Sequence, residues 1–228
     1  MRRLAPLLFS TRAPVNTTAA PHPFRLNTFS ELNLRPELAQ AVADLGYTTP
    51  TPIQAALIPV LLAGRDAIGQ AQTGTGKTAA FALPTLQNLV PGAQQVQALI
   101  LVPTRELATQ VASAVHTYGR SLGVRVLPIF GGQPYQKQIG RLRKGVDIVV
   151  GTPGRLIDLL NQGALDLSAV QTVVLDEADE MLSMGFADDL RAILDNVPDE
   201  RQTVLLSATM PREIKGIAKQ YLRNPEVC

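Results

Sequence analysis

Residues 71–78 read Ala-Gln-Thr-Gly-Thr-Gly-Lys-Thr. Two glycines let successive backbone N–H groups turn toward one concavity, and a helix starting there adds partial positive charge. Such a loop suits a nucleoside polyphosphate. Gln72, Thr73, Gly74, Thr75 and Gly76 would form the cradle. Lys77 would reach the β- and γ-phosphates, and the Thr78 hydroxyl would ligate Mg²⁺. The general phosphate-loop pattern has glycine where this chain has Ala71. A second group, Val173-Val-Leu-Asp-Glu-Ala-Asp179, is an apolar run ending in acids. Asp176 stands where a metal-holding carboxylate is needed, and it would bind through water because Mg²⁺ keeps several of its waters. Glu177 is the candidate to orient and deprotonate an attacking water. Asp179 reads as a tie to a neighbouring loop. Together these residues suit phosphoryl transfer from a Mg-nucleotide.

Such residues need a scaffold that brings them to one place. Apolar runs of strand length occur at Asp66–Gln70, Ala98–Val102, Val126–Phe130, Asp147–Val150, Thr172–Leu175 and Thr203–Leu206. Between them, positions such as Leu107, Val111, Val115 and Tyr118 recur at helical spacing. Strands apolar on both faces, alternating with amphipathic helices, predict an α/β fold: a mostly parallel sheet flanked by helices on both faces. Ligand loops of such sheets lie at the carboxyl ends of the strands. Both groups above sit at such an end.

The 228 residues suit one ordinary domain plus a tail. With 46% apolar and 18% charged residues, a substantial core can form and wholesale disorder is excluded. The net charge is +2, and Arg2, Arg3, Arg12 and Arg25 all precede the first acid, Glu31. Residues 1–26 therefore read as a flexible, basic leader, with a targeting peptide as the alternative. Residues 27–228 form the domain. The near-neutral body is no polybasic glue, so any nucleic-acid site must be a local arrangement of donors. The single cysteine, Cys228, excludes an internal disulfide and fits a reducing compartment. The longest uncharged run, Thr78 to Thr104, is broken by Pro84, Pro91 and Gly92, so no membrane span is expected. Of His22 and His116, the only histidines, the first lies in the leader and the second beside the buried positions of its helix, where packing or exposure rather than catalysis is expected.

With these motifs in view, the chain resembles the DEAD-box ATP-dependent RNA helicases, whose name is spelled by Asp176-Glu-Ala-Asp179. Their phosphate loop takes the form Ala-x-x-Gly-x-Gly-Lys-Thr, which Ala71 matches. Gly46-Tyr-Thr-Thr-Pro-Thr-Pro-Ile-Gln54 looks like their Q motif, with Phe29 upstream. Pro103-Thr-Arg-Glu-Leu-Ala108, Gly131-Gly132, Thr152-Pro-Gly-Arg155 and Ser207-Ala-Thr209 follow in the family's order. The resemblance spans roughly Phe29 to the end and implies a RecA-like P-loop domain. It also implies a second RecA-like domain, whose arginine-rich motif this sequence does not contain.

The resemblance implies roles that the residue chemistry can be set beside. The Gln54 amide offers a donor and an acceptor that match adenine N7 and N6, and the family uses it so; taken alone it would be a helix-capping or surface amide. Tyr47 is the ring expected to stack on the base, the backbone near Thr49 would take the second N6 hydrogen, and Phe29 would stack or pin the segment. Thr104, Arg105, Gly132, Thr152 and Arg155 would track RNA by its backbone without reading sequence. Without the resemblance, the threonines and arginines are helix caps and surface cations. Ser207 and Thr209 would meet Asp179 and couple hydrolysis to unwinding. The expected cofactors are ATP and Mg²⁺, the partners RNA and the second domain, and the location cytoplasmic. An ATP-dependent RNA clamp without unwinding shares every motif. A small-molecule P-loop kinase would need neither Gln54 nor Thr152–Arg155.

Overall fold

The computed structural model describes Leu26 and residues 28–228. The expected leader, including His22, lies outside the described residues except for Leu26. Leu26 is buried, and its N–H donates to Ala55 O.

The described strands are β1 (Ala67–Gln70), β2 (Ala98–Leu101), β3 (Val126–Ile129), β4 (Ile148–Gly151), β5 (Thr172–Leu175), β6 (Gln202–Ser207) and β7 (Glu226–Val227). They form one sheet in the order β3-β4-β2-β5-β6-β1-β7, parallel at every junction. The helices are α1 (Pro36–Asp44), α2 (Pro52–Leu62), α3 (Lys77–Asn88), α4 (Arg105–Gly119), α5 (Tyr135–Arg143), α6 (Pro153–Asn161), α7 (Ala178–Ser183), α8 (Ala187–Leu194) and α9 (Arg212–Tyr221).

Side chains of a strand alternate between faces, and here the alternation separates two cores. Ala98, Ile100, Ile148, Val150, Val174, Val204 and Leu206 join one apolar cluster with α1 to α4. Leu99, Leu101, Val149, Val173, Leu175 and Leu205 join a second cluster with residues of α5 to α9. Burial on both faces explains why these strands read as unbroken apolar runs. Each fully buried Leu, Ile or Val contributes on the order of 1.5–3 kcal/mol, so the centre of the sheet is the stable part of the scaffold.

Pro128 sits inside β3 without breaking it because β3 is an edge strand. Arg125 O and Ile129 O accept from Ile148 N and Thr152 N, so odd-numbered carbonyls point toward β4. Pro128 then lies in the phase that faces the open edge, where its missing N–H breaks no ladder bond. Asp147, expected to begin a strand, lies just below β4 as a fully buried carboxylate holding the Arg125 N–H at 2.8 Å.

Because every strand runs the same way, the six motifs emerge along one edge. In spatial order they follow β3 (Gly131-Gly132), β4 (Thr152–Arg155), β2 (Thr104–Arg105), β5 (Asp176–Asp179), β6 (Ser207–Thr209) and β1 (residues 71–78).

Candidate functional site

The loop after β1 folds as its glycines require. Gly74 and Gly76 have φ of 84° and 90°, and Gly76 immediately precedes α3. A Cβ at Gly76 would stand 2.5 Å from Gln54 Nε2, so the position needs glycine for space as well as for conformation. Lys77, the first residue of α3, is buried. Its Nζ lies 3.6 Å from Asp176 Oδ1, and the two side chains are 6% and 4% exposed.

Asp176 follows β5, separated from β1 by β6 alone. Burial pushes its carboxyl up to about 6; the Lys77 ammonium acts against this and the Glu177 charge adds to it. Asp176 Oδ1 is buried without a hydrogen-bond partner. A buried oxygen left unsatisfied beside a phosphate loop fits a hydrated Mg²⁺, whose bound water would donate to it. Thr78, the next residue of α3, is half-buried and offers the second oxygen.

Glu177 has a left-handed backbone, φ 54° and ψ 50°, which is costly for a side chain of this kind. The turn lets α7 start immediately after the strand and aims the Glu177 carboxylate back at the loop. Its Oε1 accepts from the Thr73 hydroxyl at 2.9 Å. Thus the loop and the acids are joined by an ion pair and a hydrogen bond. Gln72 and Thr75 belong to the same turn, where the Thr75 hydroxyl donates to Gln72 O at 2.8 Å.

Asp179, on α7, faces the segment after β6. Its Oδ2 accepts from Thr209 N at 2.9 Å and from the Thr209 hydroxyl at 2.8 Å. The Ser207 hydroxyl donates to Thr209 O at 2.6 Å. Burial alone would raise the Asp179 carboxyl, but hydrogen bonds from the Thr209 and Ser207 side chains outweigh it and hold the group below its ordinary value.

Gln54 is buried at the start of α2. Its Oε1 accepts from Thr51 N at 2.9 Å, and its Nε2 donates to Gly76 O at 3.1 Å. The amide therefore braces the phosphate loop, with one N–H and one lone pair still uncommitted. Tyr47 and Phe29 pack together with centroids 5.7 Å apart, and Tyr47 meets Tyr118 at 6.4 Å with a 3.3 Å contact between hydroxyls. Tyr47, expected to stack on a base, has its packing partners in the core. Thr49 is exposed in the turn before α2.

The other half of the edge is built differently. Thr104 caps α4, its hydroxyl accepting from Leu107 N at 3.2 Å. Arg105 is exposed, 5.9 Å from the Phe130 ring centroid and 3.1 Å from Glu106. Gly132 is exposed in a left-handed turn, φ 80°. Thr152 occupies the cap position of α6 but makes no side-chain cap bond. Arg155 is buried. It donates to Gln133 O at 2.9 Å and to Gln138 Oε1 at 3.0 Å, and lies 3.9 Å from the Tyr135 ring centroid. Gln138 Nε2 in turn donates to Phe130 O at 3.0 Å. Arg155 thus staples the glycine turn after β3 to α6. Sequence reasoning missed Gln133, Tyr135 and Gln138, since no spacing rule links them to Arg155.

A parallel sheet with a glycine-bent loop on one strand end, facing a carboxylate two strands away, defines a P-loop nucleotide-binding domain. The profile of the DEAD/DEAH box helicases matches residues 51–217, and the chain belongs to that family. It is 53% identical over 201 residues to the ATP-dependent RNA helicase DeaD of Buchnera aphidicola, covering 88% of this chain and 33% of that one. It is 52% identical over 202 residues to the DEAD-box ATP-dependent RNA helicase CshA of Geobacillus kaustophilus, covering 89% and 43%. The crystal structure of a DEAD box protein from the hyperthermophile Methanococcus jannaschii superposes with a TM-score of 0.86 at 41% identity, covering 89% of this chain and 56% of that one. The chain spans about a third to two fifths of the length of the curated relatives it matches.

Proposed function

We propose that the chain is the nucleotide-binding RecA-like domain of an ATP-dependent RNA helicase acting in the cytoplasm. It binds Mg-ATP on residues 71–78 and holds RNA by its backbone along the β2, β4 and β3 end of the same edge. A second RecA-like domain completes the site and couples ATP hydrolysis to duplex unwinding. The observation that carries this reading is the meeting of Lys77 with Asp176 beneath the glycine-bent loop. That similar relatives are named ATP-dependent RNA helicases supports the choice of substrate.

The chain's own residues divide the work. Loop N–H groups and the start of α3 receive the phosphates. Lys77 exchanges Asp176 for phosphate oxygens. Thr78 and, through water, Asp176 would hold Mg²⁺, which would supply positive charge against the phosphates. Glu177 leaves the Thr73 hydroxyl to accept a proton from the attacking water. Gln54 keeps its bond to Gly76 O and presents its remaining donor and acceptor to adenine. Asp179 with Thr209 ties α7 to the end of β6, so movement of the acids reaches the segment that leads into α9.

Without arginine from a second domain, phosphoryl transfer lacks a contribution worth roughly 10³–10⁵ in rate in related chemistry. The 228-residue chain should therefore bind ADP yet hydrolyse ATP very slowly. Equilibrium titration with fluorescent ADP and a phosphate-release assay with and without polyuridine test this. RNA-stimulated turnover by this chain alone contradicts the need for the second domain, and failure to bind adenine nucleotide contradicts the whole reading.

A further inference from the structure

All 19 acids lie outside residues 107–146, a stretch that carries Arg120, Arg125, Lys137, Arg141, Arg143 and Lys144. The fold gathers most of this charge on one flank. Lys137, Arg141 and Lys144 stand at i, i+4 and i+7 along α5 and its last turn, so they share a face over about 10 Å of axis. All three are exposed. Among the described residues, neither they nor Arg143 form an ion pair. Arg125 is spent on the buried Asp147, leaving that acid neutralised. Arg141, Lys144 and Arg125 line a cleft of about 440 Å³ with His116 of α4, beside the amino end of β3. The other end of α5 begins at Tyr135, against Arg155, on the edge where Gly132 turns. The flank is thus continuous with the carboxyl edge, and it starts where the strand order ends.

We propose that this α5 flank is a second phosphodiester-binding surface, which takes RNA as it runs off the carboxyl edge past β3. This rests on the reading that RNA crosses that edge. Three cations in a row, with no acid beside them in solvent, match a polyanion of regular charge. An acidic peptide would need more than charge here. The open edge of β3 could pair with it as an added strand, but Pro128 faces that edge and removes a donor from its middle.

The test compares Lys137→Gln/Arg141→Gln/Lys144→Gln with wild type in fluorescence anisotropy, using a 6-nucleotide and a 30-nucleotide polyuridine between 50 and 200 mM salt. The control, Arg212→Gln/Lys215→Gln/Lys219→Gln on α9, removes the same charge elsewhere. The expected result is an unchanged affinity for the short RNA. For the long RNA, affinity at 50 mM salt falls about tenfold or more and the slope of log K against log salt falls by about 2, since each phosphate contact contributes roughly 0.7. The α9 control keeps both within about twofold. Equal loss on short and long RNA, no loss on either, or an equal loss in the control overturns the proposal while the helicase reading stands. Wild type binding neither RNA overturns both. Loss of polyglutamate binding with RNA binding intact assigns the flank to an acidic protein partner and also overturns it.

Discussion

The two halves of the carboxyl edge solve opposite problems. Around β1, β6 and β5, the charged groups are tied down: Lys77 and Asp176 to each other in a buried pair, and the half-buried Glu177 and Asp179 to the hydroxyls of Thr73 and Thr209. Around β2 and β3, Arg105 and Gly132 stand in solvent. The Arg105 side chain is 64% exposed, against 6% for that of Lys77. A buried pair is strong only while both partners remain, whereas an exposed cation contributes little until a ligand arrives. Removing one member of the buried pair should therefore be felt by the whole fold, whereas the half around β2 and β3, where we propose RNA binds, is a surface attached to it. Arg155 crosses this division: by motif it belongs to the exposed half, by burial to the braced one.

The largest effect should come from Lys77→Ala, which strands the Asp176 carboxylate and costs about 3–5 kcal/mol at neutral pH. The penalty depends on pH with a definite sign. The folded state already binds the Asp176 proton more tightly than the unfolded chain, so this group destabilises increasingly as pH rises from the ordinary carboxylate range through about 6. Loss of the Lys77 ammonium moves that window upward. Urea denaturation should place the variant closer to wild type at pH 5 than at pH 8, and an equal deficit at both would show that the pair is not the cause.

Next comes Arg155→Ala. It leaves Gln138 Oε1 and Gln133 O without their donor, at about 1–3 kcal/mol. A thermal melt should drop clearly even without RNA; a melt unchanged from wild type would return Arg155 to the exposed half. Asp179→Asn should cost under about 1 kcal/mol, because solvent screens the group. Its stabilisation exists above the ordinary carboxylate range and disappears as pH falls through its depressed value, so the variant should lie closest to wild type in acid. Smallest in stability is Arg105→Ala, within about 0.5 kcal/mol. Its effect should show instead as weaker RNA binding with a salt slope lower by about 0.7. A large loss of stability would erase the contrast between the halves.

The sheet was legible because β2, β5 and β6 are apolar on both faces, and only a parallel sheet covered twice requires that. Strand ends shifted by a residue or two, as at Asp147, because a buried acid below a strand resembles a strand residue in pattern alone. β7 was not legible. Two residues carry no period, and Glu226–Val227 becomes a strand only because Cys228 N donates to Ile68 O and Gln70 N to Cys228 O. α7 was hidden inside the acid cluster, whose left-handed Glu177 no propensity foretells. At the site, motifs named the participants but not their commitments. Gln54 could be chosen from amide chemistry, yet its bonds to Thr51 and Gly76 depend on how α2 meets the loop. The Arg155 staple depends on Gln138, which comes within reach only in the folded chain, 17 residues away in sequence.

The central claim is that the loop and the acid after β5 grip one magnesium-bound nucleotide. Calorimetric titration of ADP into wild type and Asp176→Asn, each with and without Mg²⁺, tests it most directly. Wild type should bind more tightly when Mg²⁺ is present, while the variant binds metal-free ADP normally and gains nothing from the ion. If Asp176→Asn tightens on Mg²⁺ as much as wild type does, the carboxylate has no part in holding the metal and the account of the site is wrong.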